Sequence, residues 1–160
     1  VRASSNPSHW KELIRVMEKS VPERKTAVGP IFHDLAERLR RRGIVVILSD
    51  LFDEVDAMLA GLKHFRHRRH EVILFHVLDP YELEFPFQGM VEFHGLESGA
   101  ILQTQPADLR RSYQRELAAF QQRLREGCER NRSHYVAVNT SHPLEETLGA
   151  YLAFRLRTSR

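Results

Sequence analysis

The sequence predicts an α/β fold in which a mostly parallel sheet carries helices on both faces. Short, continuous runs of β-branched and other apolar residues alternate with longer stretches in which apolar residues recur at helical spacing. This alternation favours a parallel sheet, because each crossover between parallel strands needs a helix-sized connection. Two shorter strand-like runs that lie close together along the chain add a small β-hairpin insertion.

Composition indicates one domain over residues 1–160. Hydrophobic residues make up 42% of the chain and charged residues 28%, which is ordinary for a globular protein with a core. Lys and Arg number 24 against 21 Asp and Glu, and the net charge of +3 is too small to indicate nucleic-acid binding by itself. The single cysteine, Cys128, excludes an internal disulfide and fits a cytoplasmic location. Because no apolar run reaches roughly 20 residues, no membrane association is expected.

Three apolar runs are predicted to be parallel strands that are buried on both faces. They cover residues 44–48, 72–78 and 135–138, and continuous apolar runs of this kind are typical of strands covered on both sides. Asp53 is predicted to cap the helix that follows the first strand. The other predicted elements are helices around 10–17, 31–39, 55–65, 106–131 and 144–152, and hairpin strands at 90–94 and 100–104.

Polar residues at the carboxyl ends of these strands mark the expected binding edge, because ligands of open parallel sheets bind beyond those ends. Asp50 follows the first strand directly, Asp79 follows the second, and Thr26 lies in the loop before the helix that feeds the first strand. From the residues alone, Asp50 is either a site carboxylate or a cap of the following turn. Thr26 is either a site hydroxyl or a loop residue that bonds the local backbone.

Several segments together resemble a known family. They are Lys25–Pro30, Leu35–Gly43, Val45–Asp53, His76–Pro80, Glu84–Phe87 and Tyr135–Leu152, which include the motifs Ser-Asp-x-x-Asp and Asp-Pro-x-Glu. They resemble the bacterial domain of unknown function 58 family, whose members have a von Willebrand factor A-like fold. The resemblance covers nearly the whole chain and implies a partial Rossmann-like domain whose N-terminal strands would precede Val1.

The resemblance also implies an incomplete metal-ion-dependent adhesion site. Such a site joins an Asp-x-Ser-x-Ser loop, a threonine and an aspartate around Mg²⁺, which prefers six hard oxygen ligands. By resemblance, Thr26 is the threonine and Asp50 the aspartate, while the Asp-x-Ser-x-Ser loop does not occur in the sequence. No cofactor is therefore expected in this segment, and Mg²⁺ is expected only in a longer protein.

The leading functional hypothesis is a non-enzymatic protein-interaction module. The resemblance implies a bacterial adaptor that works with a MoxR-type AAA+ ATPase. Without a neighbouring strand, residues 44–48 would form an exposed apolar edge, through which we expect self-association. The alternative is a nucleic-acid-binding module that uses an arginine-rich helix, although glutamates interleave with its arginines. These arginines are Arg110, Arg111, Arg115, Arg123, Arg125, Arg130 and Arg132.

Two further groups of residues are interpreted without a chemical role. His64, His67 and His70 recur every three residues, but neighbouring arginines repel a cation, so a solvated basic turn is expected. Cys128 and His134 come with no recognisable oxyanion site, so Cys128 is interpreted as a packed core residue.

Overall fold

A computed structural model describes residues 1, 4–21, 28–95 and 99–158, and these contain six helices and five strands. Thr26 lies outside the described residues. In chain order the elements are α1 (His9–Lys19), α2 (Val28–Arg38), β1 (Ile44–Ser49), α3 (Val55–His67), β2 (Glu71–Leu78), α4 (Pro80–Glu84), β3 (Val91–His94), β4 (Ile101–Thr104), α5 (Pro106–Arg130), β5 (His134–Asn139) and α6 (Leu144–Thr158).

Three strands form a parallel sheet in the order β1-β2-β5. The pairing of β1 with β2 begins at Ile44 opposite Glu71, and the pairing of β2 with β5 begins at Ile73 opposite His134. β3 and β4 pair antiparallel as a separate hairpin. The predicted parallel sheet and hairpin are thus confirmed, and the carboxyl ends of β1 and β2 lie at the same edge.

Alternate residues of β2 face two separate cores. Val72 and Leu74 belong to the larger core, which they share with buried residues of α2, α3 and α5. Ile73 and Phe75 belong to the smaller core, where Tyr151 of α6 is buried. Helices therefore cover β2 on both faces, as the continuous apolar run predicts.

β1 differs from the prediction that it is buried on both faces. Val45 and Ile47 pack against the larger core, whereas Ile44, Val46 and Leu48 are 55%, 50% and 68% exposed. Among the described strands, β1 lies at the end of the sheet order, and the described residues of the smaller core come from β2, β5 and α6. An apolar run shows that a strand is able to be buried, but it does not show whether a second layer covers it.

Two glycines allow α2 and α3 to pack closely. A Cβ atom on Gly29 would lie 2.8 Å from the Cβ atom of Ala57, and one on Gly61 would lie 2.4 Å from the Cβ atom of Phe32. Both distances are too short for two carbon atoms, so these positions require glycine. This close contact fixes the two helices that begin beside the carboxyl edge of β1.

Candidate functional site

The turn after β1 presents Asp50 at the carboxyl edge of the sheet. The Ser49 hydroxyl oxygen accepts a hydrogen bond from the Leu51 N–H at 3.0 Å, and the Asp50 carboxylate accepts one from the Phe52 N–H at 3.3 Å. Leu51 has a left-handed backbone, with φ of 56°, and its side chain is fully buried. That conformation costs about 1 kcal/mol or more for a residue with a Cβ. The buried Leu51 side chain anchors the turn, and Asp50 and Phe52 are exposed on it.

Asp53 connects this turn to the start of α2. Its carboxylate accepts hydrogen bonds from the Val28 N–H at 2.5 Å and from the Glu54 N–H at 2.7 Å. The prediction that Asp53 caps α3 is therefore wrong, because α3 begins at Val55 with Glu54 as its N-cap residue. Asp53 instead stabilises the N-terminus of α2, where the helix dipole favours a negative charge. The contact spans 25 residues, so local sequence does not reveal it.

His76 and Tyr135 form a buried polar pair behind Asp50. The Tyr135 hydroxyl lies 2.8 Å from Nδ1 of His76, which is 1% exposed. Burial lowers the pKa of His76, although its hydrogen bond to the Asp50 backbone and the Asp50 charge both oppose that effect. Burial likewise raises the pKa of Tyr135 to about 12.

A cavity of about 430 Å³ opens beside Asp50. Side chains of β2 and α5 give it an apolar lining, to which Asp50, Glu82, Glu116 and Arg123 add charged groups. Arg123 pairs with Asp56 at 2.9 Å and Arg115 pairs with Glu116 at 3.5 Å, so the unbalanced negative charge at the cavity comes from Asp50 and Glu82. A concave apolar site with a few polar groups is the usual form of a binding pocket. The lining residues are Asp50, Phe52, His76, Leu78, Glu82, Tyr113, Glu116, Leu117, Ala119, Phe120 and Arg123.

The short helix α4, which was not predicted, brings Glu82 to the cavity. The Asp79 carboxylate accepts a hydrogen bond from the Tyr81 N–H at 2.8 Å, and the Glu82 carboxylate accepts one from the Asp79 N–H at 3.0 Å. This capping box, with Pro80 at the first helical position, is a recognisable sequence signal. Asp79 therefore starts α4, and Glu82 is the carboxylate of this segment that lines the cavity.

The predicted metal ligands are only partly within the described structure. The described residues contain no group of three or more His, Cys, Asp and Glu side chains that could hold a metal ion. Asp50 lies at the expected edge of the sheet, and Thr26 falls in the segment that is not described. Their pairing stays a prediction, and the residues described do not by themselves fit a Mg²⁺ site, which needs several oxygen ligands.

The three histidines spaced by three residues have different surroundings. His64 pairs with Glu37 at 2.7 Å, and His67 is the exposed last residue of α3. His70 is only 8% exposed, and neither of its ring nitrogens has a hydrogen-bond partner among the described residues. Its ring packs edge-on against Phe65. The expectation of a solvated turn is therefore wrong for His70, which packs against the larger core.

Several arginines of α5 are engaged within the protein. Arg110 donates hydrogen bonds to the carbonyl oxygens of Phe85 and Phe87 at 3.0 and 2.7 Å, which fixes the segment after α4 to α5. Arg123 and Arg130 pair with carboxylates at 2.9 and 3.6 Å. A surface that binds phosphates needs guanidinium groups that are available to the ligand. These contacts give the nucleic-acid alternative no specific support.

Cys128 is packed in the larger core, as the sequence predicts. It is fully buried, and burial raises the pKa of its thiol to about 12. Such a thiol stays protonated at neutral pH, whereas the thiolate is the nucleophilic form. His134 lies 3.1 Å from the Tyr151 hydroxyl, on the α6 side of the sheet.

The cavity lies within a segment that a known family shares. The model of a family described as a protein of unknown function, DUF58, matches residues 3–123, which is more than half of the chain. The chain is a DUF58 protein. All residues that line the cavity fall within the matched segment of the DUF58 protein. Comparisons with curated proteins and with solved structures give no match. Within the described ranges, none of its helices is long and apolar enough to cross a membrane.

Proposed function

We propose that this DUF58 protein is a non-enzymatic interaction module that binds a protein partner at the carboxyl edge of its sheet. The observation that supports the proposal most is the cavity of about 430 Å³, where apolar walls meet several carboxylates. Parallel sheets commonly bind their ligands at this edge. The turn that carries Asp50 is anchored by a buried residue, so the site is preorganised.

The lining favours a partner segment that combines apolar and cationic side chains. Leu78, Leu117 and Phe120 offer apolar contact, and Asp50 and Glu82 offer negative charge for a lysine or arginine. Phe52, which is 92% exposed, also lines the cavity. Aromatic side chains are enriched in protein interfaces, and a few buried anchors usually carry most of the binding energy. Phe52 is therefore the anchor expected to contribute most.

The family resemblance suggests the class of partner. It points to a MoxR-type AAA+ ATPase, with the DUF58 protein as an adaptor in the bacterial cytoplasm. In a longer protein that supplies further oxygen ligands, Mg²⁺ bound by Thr26 and Asp50 would add positive charge for a partner carboxylate. The binding proposed here uses the cavity itself and does not depend on that metal.

Titration calorimetry with the MoxR-type ATPase of the same organism tests the proposal. Phe52→Ala is expected to weaken binding about tenfold or more, as loss of an interface anchor does. Phe154→Ala removes a half-exposed aromatic from α6, far along the chain from the cavity residues, and should leave the affinity unchanged. Adding EDTA should also leave it unchanged. Equal affinities for Phe52→Ala and the unmodified chain would show that the partner does not bind at the cavity.

A further inference from the structure

The helices α3 and α5 end in the same way, immediately before β2 and β5. Arg69 and Arg132 each lie two residues before a strand and have left-handed backbones, with φ of 62° and 53°. At both helix ends, the N–H of the following residue donates a hydrogen bond to a carbonyl five residues earlier, at 3.0 and 2.8 Å. Glycine is the usual residue at this position, because a side chain there costs conformational free energy. Both helix ends therefore hold an arginine where the backbone favours glycine.

Both arginines lie at the amino edge of the parallel sheet, where its strands begin. β2 and β5 are neighbours that run in the same direction, so the loops that enter them lie side by side. The Arg66 guanidinium donates a hydrogen bond to the Arg130 carbonyl at 2.6 Å, which joins the two helix ends directly. Arg69 and Arg132 are exposed, and neither has an ion-pair partner among the described residues. Their guanidinium groups are therefore available to a ligand.

A basic hollow of about 550 Å³ includes Arg69 and lies along the end of α3. The described residues that line it include no carboxylate: they are Ala60, Lys63, His64, Arg66, His67 and Arg69. A helix dipole favours cations at the end of a helix, but it corresponds to only about half a charge. Lys63, Arg66 and Arg69 exceed that charge, and within the described ranges none of the three has an ion-pair partner. The hollow therefore carries positive charge that the fold does not neutralise.

Four cations at this end of the sheet, together called the basic edge, are Lys63, Arg66, Arg69 and Arg132. We propose that the basic edge binds the phosphate backbone of a nucleic acid. A guanidinium group donates two parallel hydrogen bonds to phosphate oxygens, so arginine suits phosphate recognition. The cations are spread over two neighbouring loops, which fits successive phosphates of a chain better than one small anion. The three arginines at residues 40–42 precede β1 at the same edge and add to its charge.

A nucleic acid fits the basic edge better than a lipid surface does. Segments that bind membrane surfaces usually insert apolar side chains beside their basic residues. The large apolar side chains at the end of α3, Leu62 and Phe65, are fully buried, and the exposed residues 66–69 are three arginines and a histidine. Contact through charge without apolar insertion is typical of binding to a phosphate backbone. This inference goes beyond the cavity proposal, because the basic edge lies at the opposite end of the strands and uses other residues.

Fluorescence anisotropy with a labelled oligonucleotide of mixed sequence, about 20 nucleotides long, tests the proposal. The dissociation constant should be micromolar at about 50 mM salt and should rise steeply by about 200 mM, because binding releases counterions. The double variant Arg69→Gly with Arg132→Gly should bind about tenfold more weakly, and the salt slope should fall by about two phosphate contacts. Its melting temperature should rise, because glycine relieves both left-handed positions. A more stable variant that binds less tightly cannot owe its weaker binding to unfolding.

A control variant with the same net charge separates the basic edge from a general effect of charge. Arg111→Ala with Arg115→Ala removes two exposed arginines nearer the start of α5 and should leave the dissociation constant within about twofold. Equal weakening by the two double variants would overturn the proposal, as would a failure of the unmodified chain to bind the oligonucleotide. Binding to phosphatidylglycerol vesicles or to inorganic pyrophosphate, without binding to the oligonucleotide, would also overturn it and would assign the basic edge to a lipid headgroup or a small anion.

Discussion

The two faces of the parallel sheet differ in how completely helices cover them. On one face, α2, α3 and α5 build a core that includes fully buried residues such as Leu62, Leu74 and Leu124. On the other face, the core comprises residues of β2, β5 and α6, and the exposed residues of β1 lie outside it. The buried apolar surface that stabilises the fold is thus concentrated on the first face, and on the second face Ile44, Val46 and Leu48 remain exposed.

β1 shows this difference within a single strand. Its odd-numbered residues Val45 and Ile47 pack in the larger core, while its even-numbered residues are half or more exposed. Both sets have the same chemical character, so the contrast arises from their surroundings. Substitutions on the two faces should therefore have very different effects on the free energy of unfolding.

Truncating a buried leucine of the larger core should have the largest effect. Leu74→Ala, at a side chain that is 1% exposed, should lower the free energy of unfolding by about 2–5 kcal/mol, because it removes buried apolar atoms and leaves a cavity. Leu48→Ala on the other face is the matched substitution, at 68% exposure, and should change the free energy of unfolding by less than about 0.5 kcal/mol. Urea titration measures both. Similar losses in the free energy of unfolding for the two variants would contradict the difference between the two faces.

Adding a methyl group to a glycine should distinguish the same two faces. Gly61→Ala forces a Cβ atom against Phe32 and should destabilise the protein by about 1–3 kcal/mol. Gly149 lies in α6 with open space where a Cβ atom would be, so Gly149→Ala should stabilise the protein by up to about 1 kcal/mol through helix propensity. Thermal unfolding should show a lower melting temperature for Gly61→Ala and a higher one for Gly149→Ala. A loss of stability in Gly149→Ala would show that α6 is more closely packed than the structure indicates.

A smaller effect on the free energy of unfolding is expected from His76 when the pH is lowered. Burial lowers the pKa of His76 below its ordinary value of 6.5, so the unfolded chain binds a proton at a higher pH than the folded chain does. The contribution of His76 is therefore complete above pH 6.5 and is lost as the pH falls below it. Denaturant titrations on either side of that pH should show a steeper loss in the unmodified chain than in His76→Leu. The exposed His67 provides the control, since His67→Leu should retain the loss.

The sequence was sufficient to predict the strands but not their surroundings. β1 and β2 have similar apolar runs, and both are strands of one parallel sheet, as predicted. Of these two strands, β2 has residues in both cores, whereas the even-numbered residues of β1 are exposed. No local property of residues 44–48 indicates this difference in burial. The same limit explains His70. Its basic neighbours suggested a solvated turn, although the residue is buried and packs against the larger core.

The part of the candidate site that directly follows a strand was predictable from the sequence. Asp50 follows β1 in the sequence and lies at the carboxyl edge in the structure, and the Asp79-Pro80-x-Glu82 signal would have been sufficient to predict α4. The rest of the cavity depends on contacts between distant segments. The hydrogen bond between His76 and Tyr135 spans 59 residues, and the α5 wall comes from a helix whose apolar stripe looks the same wherever it packs.

The double contact of Asp53 has a consequence for mutagenesis of this region. The Asp53 carboxylate, three residues beyond Asp50, accepts hydrogen bonds from the first N–H of α2 and from the N–H of Glu54, the residue before α3. Removing it would loosen two helix starts at once and move the turn that carries Phe52. In the binding assay proposed above, a loss of affinity in Asp53→Ala would then reflect the displaced turn, so each variant near Asp53 requires an independent check of folding before its affinity is interpreted.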